Sequence, residues 1–124
     1  MNGNGIFRER ERNRLIYDKV SSWKRDQEKA VQRVRGLPVR LRTQGLVMVV
    51  ADLIRGGDPC DDRMLEILAE GLLGRTPSSN FLDLLKECIE ADRGGYLKMQ
   101  HEAMVLMEQT KVLAEALWAN QKAK

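Results

Sequence analysis

The sequence predicts an all-α protein, and two observations support this fold class. The interior segments are filled with Leu, Met, Ala, Glu, Lys and Arg, which are strong helix formers. Alternating runs of β-branched and aromatic residues, the usual pattern of strands, are missing, and aromatic residues make up only 5% of the chain. A chain of 124 residues suits one domain, so we expect a single domain, 1–124, folded as a compact bundle of about five helices.

The first helix is predicted to run from Arg8 to the segment Gly36-Leu37-Pro38. Residues 1–7 are polar and glycine-rich, so they are expected to form a disordered tip without a signal peptide. Pro38 cannot continue a helix and pushes Leu37 out of the α region, which would end this helix. Residues at helical spacing predict its inner face, namely Ile16, Val20, Trp23, Gln27, Ala30, Val31 and Val34.

A second helix is predicted over residues 38–55, with Pro38 in its first turn. Gly45 is unfavourable inside a helix by about 1 kcal/mol relative to Ala, so it indicates a bend or a close backbone approach. Residues 46–54 are apolar on nearly every side, with Asp52 as the exception. This pattern is typical of a central, buried helix.

Three further helices are predicted from capping residues. Asp58-Pro59 would start the third helix and Gly74 would end it. Ser79 is the expected N-cap of the fourth, and Gly94-Gly95 its expected end. The last helix is predicted over residues 96–120.

Residue patterns for catalysis or metal binding are missing from the sequence. His101-Glu102 resembles the start of a zinc-protease helix, but position 105 is Val, where the second histidine would be needed. The two cysteines, Cys60 and Cys88, fit neither a disulfide framework nor a metal-ligand spacing. We therefore expect a cytoplasmic protein that is not an enzyme and has no metal, no cofactor and no membrane span.

Positive charge is concentrated in the first part of the chain. Residues 1–45 hold twelve Lys or Arg against five Asp or Glu, whereas residues 46–124 hold nine against thirteen. Such asymmetry is typical of a surface that contacts a phosphate backbone, although a solvated helix with internal ion pairs would have the same composition.

Six cations are predicted to bind RNA, three within the first predicted helix and three that flank the Gly36-Leu37-Pro38 segment. Arg25, Lys29 and Arg33 lie four residues apart, and so form a stripe about 12 Å long at a rise of 1.5 Å per residue. Cations at such spacing can follow successive phosphates without recognising sequence. The alternating charges of residues 9–12 largely cancel and are less suited to this role. Tyr17 and Trp23 could stack on bases, but Trp23 shares the apolar face and is expected in the core. The predicted RNA-binding residues are Arg25, Lys29, Arg33, Arg35, Arg40 and Arg42.

Two blocks of the sequence resemble a known family. Residues 35–46, RGLPVRLRTQGL, are similar to a pattern in which glycine-leucine-proline is followed by a helix containing arginine-threonine-asparagine-glycine-leucine. The last helix is similar too, with YLK at 96–98, EAMVLM at 102–107 and KVLAEAL at 111–117. The family is the small, fifth subunit of the Cmr complex, the type III-B CRISPR effector in antiviral defence, and the resemblance covers roughly residues 14–120.

This resemblance implies an all-α subunit without catalytic activity. Its expected partners are the backbone and large subunits of the effector, other copies of itself, and guide and target RNA. Copies would stack along the backbone filament and line the groove where guide pairs with target, while the backbone and large subunits carry out the chemistry.

The sequence departs from the family pattern at Gln44, where asparagine is expected, and in its arginine-rich start. These departures leave open the small subunit of another CRISPR effector, of type III-A (Csm) or type I. An alternative of a different class is a helical interaction or regulatory module whose basic face docks an acidic partner.

Overall fold

The computed structural model describes residues 3–23 and 27–118, with side chains from residue 9 onward. This part of the chain forms six helices and no strand, which confirms the all-α bundle with one helix more than expected. The helices are α1 (Gly3–Ser21), α2 (Gln27–Gln44), α3 (Leu46–Gly56), α4 (Pro59–Leu73), α5 (Leu82–Glu90) and α6 (Arg93–Leu117). None of them combines the length and apolar character needed to cross a membrane.

Helix α6 packs against α1, α2, α3 and α4, most extensively against α1 and α2. Helix α3 packs against α2, α4, α5 and α6, with Leu46, Val49, Val50 and Leu53 buried. The apolar segment 46–54 was predicted to be a central helix buried on nearly every side, but Met48 on its outer side is 59% exposed. The apolar residues predicted on the inner face of the first helical segment are confirmed as core, from Ile16 to Val34 and including Trp23, whereas Gln27 is only partly buried.

The first predicted helix is in fact two helices. At the end of α1, Ser22 donates its hydroxyl and its backbone N–H to the carbonyl of Lys19, at 2.6 and 3.2 Å. The indole of Trp118 in α6 donates to the carbonyl of Val20 at 2.8 Å. These bonds satisfy the last carbonyls of α1 and end the helix before the segment 24–26. At its other end, the helical backbone extends to Gly3, into the tip of residues 1–7 that was expected to be disordered.

Pro38 does not break a helix, contrary to the sequence prediction, but lies inside α2. It is buried together with Leu37 and Leu41, and this burial offsets the roughly 3 kcal/mol that an interior proline costs a helix. The chain breaks at Gly45 instead, where φ is +89°. The single helix predicted over residues 38–55 is therefore two pieces in the structure, the end of α2 and nearly all of α3.

The break at Gly45 is held by Gln100 of α6. The Gln100 amide nitrogen donates to the carbonyl of Leu41, near the end of α2, while its oxygen accepts the N–H of Leu46 at 2.7 Å. The hydroxyl of Tyr96 accepts the N–H of Val47 at 3.3 Å. One side chain thus provides partners for backbone groups on both sides of the break.

The capping predictions are partly confirmed. Asp58 caps α4 by accepting the N–H of Asp61 at 2.8 Å, and Gly74 ends α4 in the left-handed conformation. Helix α5 begins after Phe81, not after Ser79. Gly94-Gly95 does not end a helix, because Asp92 caps α6 by accepting the N–H of Gly95 at 2.7 Å. The last helix therefore starts before Tyr96, and it ends at Leu117; residue 120 lies outside the described residues.

Candidate nucleic-acid interface

The outer face of α2 carries five of the six cations predicted to bind RNA, while Arg25 lies outside the described residues. At 100° per residue, two rows of side chains border this face. Lys29, Arg33 and Arg40 lie along one edge, whereas Arg35 and Arg42 lie along the other. Between the rows is an uncharged strip, which consists of Gln32, Gly36, Val39 and Thr43, all exposed.

Arg33 is committed to the neighbouring helix α4. Its guanidinium lies 3.0 Å from Asp58 Oδ2 and 2.9 Å from Asp61 Oδ1, the second contact being an ion pair without hydrogen-bond alignment. Asp61 is only 2% exposed, so Arg33 neutralises a buried carboxylate. Removing that cation would leave an uncompensated buried charge, which is strongly destabilising.

The electrostatics of the two carboxylates differ. The pKa of Asp58 lies below its usual value, chiefly because it accepts the backbone N–H of Asp61, with Arg33 contributing. Burial raises the pKa of Asp61, assisted by the neighbouring charges of Asp58 and Asp62, and Arg33 only partly opposes this. The charge of Arg33 therefore stabilises the junction between α2 and α4 and is less available to a ligand.

Arg35 and Arg40 also have acidic partners. Arg35 Nε donates to Glu115 Oε2 of α6 at 2.6 Å, with half of the arginine side chain (50%) still exposed. Arg40 donates to Asp52 of α3, which also accepts from Arg55. Partial desolvation acts to raise the pKa of Asp52, but the hydrogen bond from Arg40 and the two arginine charges outweigh it and lower that pKa. Exposed pairs such as these contribute little to stability and can exchange partners.

Lys29 and Arg42 are exposed and form no ion pair with any described residue. Together with the half-exposed Arg35, they are the cations of α2 with charge available to a ligand. The single acid in the α2 sequence, Glu28, lies in its first turn. The sequence prediction named all these cations, but it could not separate the available ones from those held by distant acids.

A second set of cations, on α1, was passed over in the sequence prediction. Arg10, Asn13, Arg14 and Tyr17 lie on one exposed face, beside the buried positions Ile16 and Val20. Neither arginine forms an ion pair within the described part of the chain. The signal that could have found this face is the spacing of positions 10, 14 and 17, which places the two arginines and the tyrosine on neighbouring turns of one helix face.

Catalytic and metal-binding chemistry finds little support in the described residues. No group of three or more His, Cys, Asp or Glu side chains among them could hold a metal ion. Cys60 and Cys88 are buried and form no disulfide within the described part of the chain, and burial raises the pKa of Cys88 to about 11. A protonated, buried thiol is a poor nucleophile, so Cys88 is a core residue.

Comparison with known proteins identifies the family. A search of curated proteins finds no match. The chain is similar to a solved structure described as the X-ray crystal structure of a CRISPR-associated Cmr5 family protein from Thermus thermophilus. The TM-score is 0.78 and the identity 24%, over 90% of this chain and 96% of that one, so this likeness shows the shared fold. The family model for the CRISPR-associated protein Cas_Cmr5 matches residues 8–117. The chain therefore belongs to the Cmr5 family of CRISPR-associated proteins, which confirms the resemblance to the small subunit of the Cmr complex.

Proposed function

We propose that this small subunit of the type III-B effector acts without catalysis and binds the phosphates of guide and target RNA through the outer face of α2. The observation that carries the proposal is the uncharged strip of α2, bordered by cations with available charge. Phosphate contacts of this kind give affinity without sequence recognition. The other partners would be the backbone and large subunits and further copies of the chain.

The structure ranks the proposed contact residues. Lys29 and Arg42 form no ion pair with any described residue, although the charge of Lys29 helps to lower the pKa of Asp58. Arg35 shares an exposed pair that an RNA phosphate can replace. Arg33 and Arg40 come second, because their acidic partners lie at the junctions with α4 and α3. Arg25 stays a proposed contact on sequence grounds alone.

Repetition of the face supplies the affinity that one copy lacks. A few phosphate contacts bind weakly at physiological salt, but copies stacked along a filament present the same face many times. We therefore expect weak binding by the isolated chain and a strong contribution within the assembled particle.

The test is charge reversal of Lys29, Arg35 and Arg42 to Glu in the assembled complex. RNA affinity should fall, and the slope of log affinity against log salt should decrease by about 0.7 to 0.9 for each phosphate that is no longer neutralised. The matched control reverses three other exposed cations that have no ion pair among the described residues, Lys86, Arg93 and Lys98.

A gain-of-function variant sharpens the test. Glu115→Gln removes the acid that holds Arg35, so RNA affinity and the salt slope should both increase. Unchanged affinity and slope in the triple variant would refute the phosphate contact. Loss of assembly with unchanged RNA affinity of the remaining particles would instead indicate that α2 docks an acidic protein partner.

A further inference from the structure

The outer face of α1 and the neighbouring part of α6 form a groove that the proposed function does not use. It is about 570 Å³ in volume, with α1 on one side and α6 on the other. The side chains that matter for its chemistry are Asn13, Arg14, Tyr17, Gln109, Val112 and Leu113. None of them belongs to α2, so this groove is separate from the phosphate-binding face proposed above.

An aromatic ring lies open in this groove. Tyr17 is 51% exposed, and Val112 across the groove is exposed as well. Trp23, by contrast, is buried in the core, and the indole of Trp118 is bonded to the end of α1. Tyr17 is therefore a ring whose face is available for stacking.

The cations of α1 divide between its two sides. Arg12 pairs with Glu102 at 2.9 Å, and Lys19 pairs with Glu70 at 2.6 Å, so both are held against other helices. Arg10 and Arg14 have no acidic partner among the described residues and lie on the same face as Tyr17. They are one helical turn apart, about 6 Å along the axis, which neighbouring phosphates of a nucleotide chain can span.

The acids near this face offset its charge only in part. At 100° per residue, Glu9, Glu11 and Asp18 lie about 80 to 100° from the direction of Arg10, whereas Asp18 and Glu11 lie about 40° and 60° from that of Arg14. Glu108 of α6 also lines the groove, but Lys111 lies 3.4 Å from its carboxylate. The open ring is thus accompanied by two guanidinium groups, of Arg10 and Arg14, that form no ion pair with these acids.

We propose that this groove binds an unpaired nucleotide of single-stranded RNA. The base stacks on Tyr17 against Val112, and Arg10 and Arg14 hold the flanking phosphates. Stacking on aromatic rings beside a basic surface is the usual way in which proteins bind single strands without recognising sequence. A duplex keeps its base faces inside the helix, so it cannot use Tyr17. The α1 groove therefore selects single strands, whereas the α2 face binds phosphates of either form.

The experiment compares two substitutions at Tyr17 in the full chain. Fluorescence anisotropy at low salt measures the binding of a labelled oligouridine dodecamer and of a labelled RNA duplex of equal length. Tyr17→Phe keeps the ring and should bind the single strand within about twofold of the parent. Tyr17→Leu keeps the apolar bulk without the ring and should bind it about 5- to 100-fold more weakly, with duplex binding unchanged. Because Tyr17 is half exposed, neither substitution should alter the thermal melting of the chain.

A charge variant tests the phosphate half of the proposal. Neutralising both Arg10 and Arg14 to Gln should lower the single-strand salt slope by roughly 0.7 for each phosphate that is no longer neutralised, whereas Lys86→Gln with Arg93→Gln serves as the matched control. Equal single-strand binding by the Leu and Phe variants would overturn the proposal. It would also be overturned if Tyr17→Leu prevented assembly of the effector while RNA affinity stayed unchanged, because the groove would then dock a protein subunit. Neither result bears on Lys29, Arg35 and Arg42, so the α2 proposal stands or falls separately.

Discussion

Two glycines in helices should respond in opposite directions to the same substitution, Gly→Ala. Gly36 lies in the middle of α2, and Gly56 is the last residue of α3. Neither has a positive φ, so alanine meets no backbone strain at either site. A Cβ added at Gly36 would have no neighbouring atom within 4 Å. At Gly56, the same atom would lie 2.2 Å from Asp61 Oδ2.

The expected magnitudes follow from these surroundings. Alanine is favoured over glycine inside a helix by about 0.8 to 1 kcal/mol, so Gly36→Ala should stabilise the chain by roughly 0.5 to 1 kcal/mol. At Gly56 the helix is ending and the gain is smaller. There, the carboxylate of Asp61 must move although it is buried and paired with Arg33. Overpacking alone costs about 1 to 3 kcal/mol, and weakening the buried pair adds to it. We expect a net loss of about 2 kcal/mol or more.

Thermal unfolding monitored by circular dichroism measures both effects. At roughly 3 to 5 °C per kcal/mol for a chain of this size, Gly36→Ala should raise the melting temperature by a few degrees, and Gly56→Ala should lower it by about 6 °C or more. In an Asp61→Ala background the carboxylate that the new Cβ would meet is absent, so Gly56→Ala should then change the melting temperature very little. A melting temperature of Gly56→Ala at or above that of the parent chain would refute the argument that Asp61 is fixed.

Three other predictions concern acid stability, thiol reactivity and the break at Gly45. A hydrogen bond from Arg75 lowers the pKa of Asp83, so its contribution to stability is present above the unfolded value of 3.8 and is lost as pH falls towards the folded one. Urea unfolding between pH 5 and pH 2 should therefore show a steeper loss of stability for the parent chain than for Asp83→Asn, and parallel curves would contradict this. Because burial raises the pKa of Cys88 to about 11, a disulfide reagent at pH 8 should modify it only after denaturant is added; rapid reaction of the native chain would show that the thiol is accessible. Gln100→Ala leaves the N–H of Leu46 without its partner and should destabilise the chain by about 1 to 3 kcal/mol in urea unfolding, whereas a loss below about 0.5 kcal/mol would mean that water replaces the side chain.

The fold class and several helix ends could be predicted because they depend on local chemistry. The Asp58-Pro59 start of α4 is one example, since the carboxylate caps a backbone N–H three residues away. Pro38 shows the opposite case, because burial beside Leu37 and Leu41 overrides the local preference for a break. The prediction that Gly94-Gly95 ends a helix was wrong for a third reason, because Asp92 caps α6 and both glycines lie in the first turn of that helix.

The candidate site could be predicted only as a set of cations. Helical spacing placed Arg25, Lys29 and Arg33 in one stripe, but it gave no information on the partners of any cation. Arg35 is held by an acid 80 residues away, and Arg33 by an acid 25 residues away. Such pairs arise from the packing of α2 against α6 and α4, so which charges remain available could be known only from the tertiary structure.

The hydrogen bonds of Gln100 also constrain the order in which parts of the chain can fold. Its two partners, Leu41 and Leu46, precede it by 59 and 54 residues, so both leave the ribosome long before it does. Until α6 arrives, the N–H of Leu46 can bond only to water, and the carbonyl of Leu41 has only the N–H of Gly45 as a protein partner. The nascent chain can form α2 and α3 early, joined by the Arg40–Asp52 pair, but the two bonds of Gln100 that span the break at Gly45 form only when α6 docks.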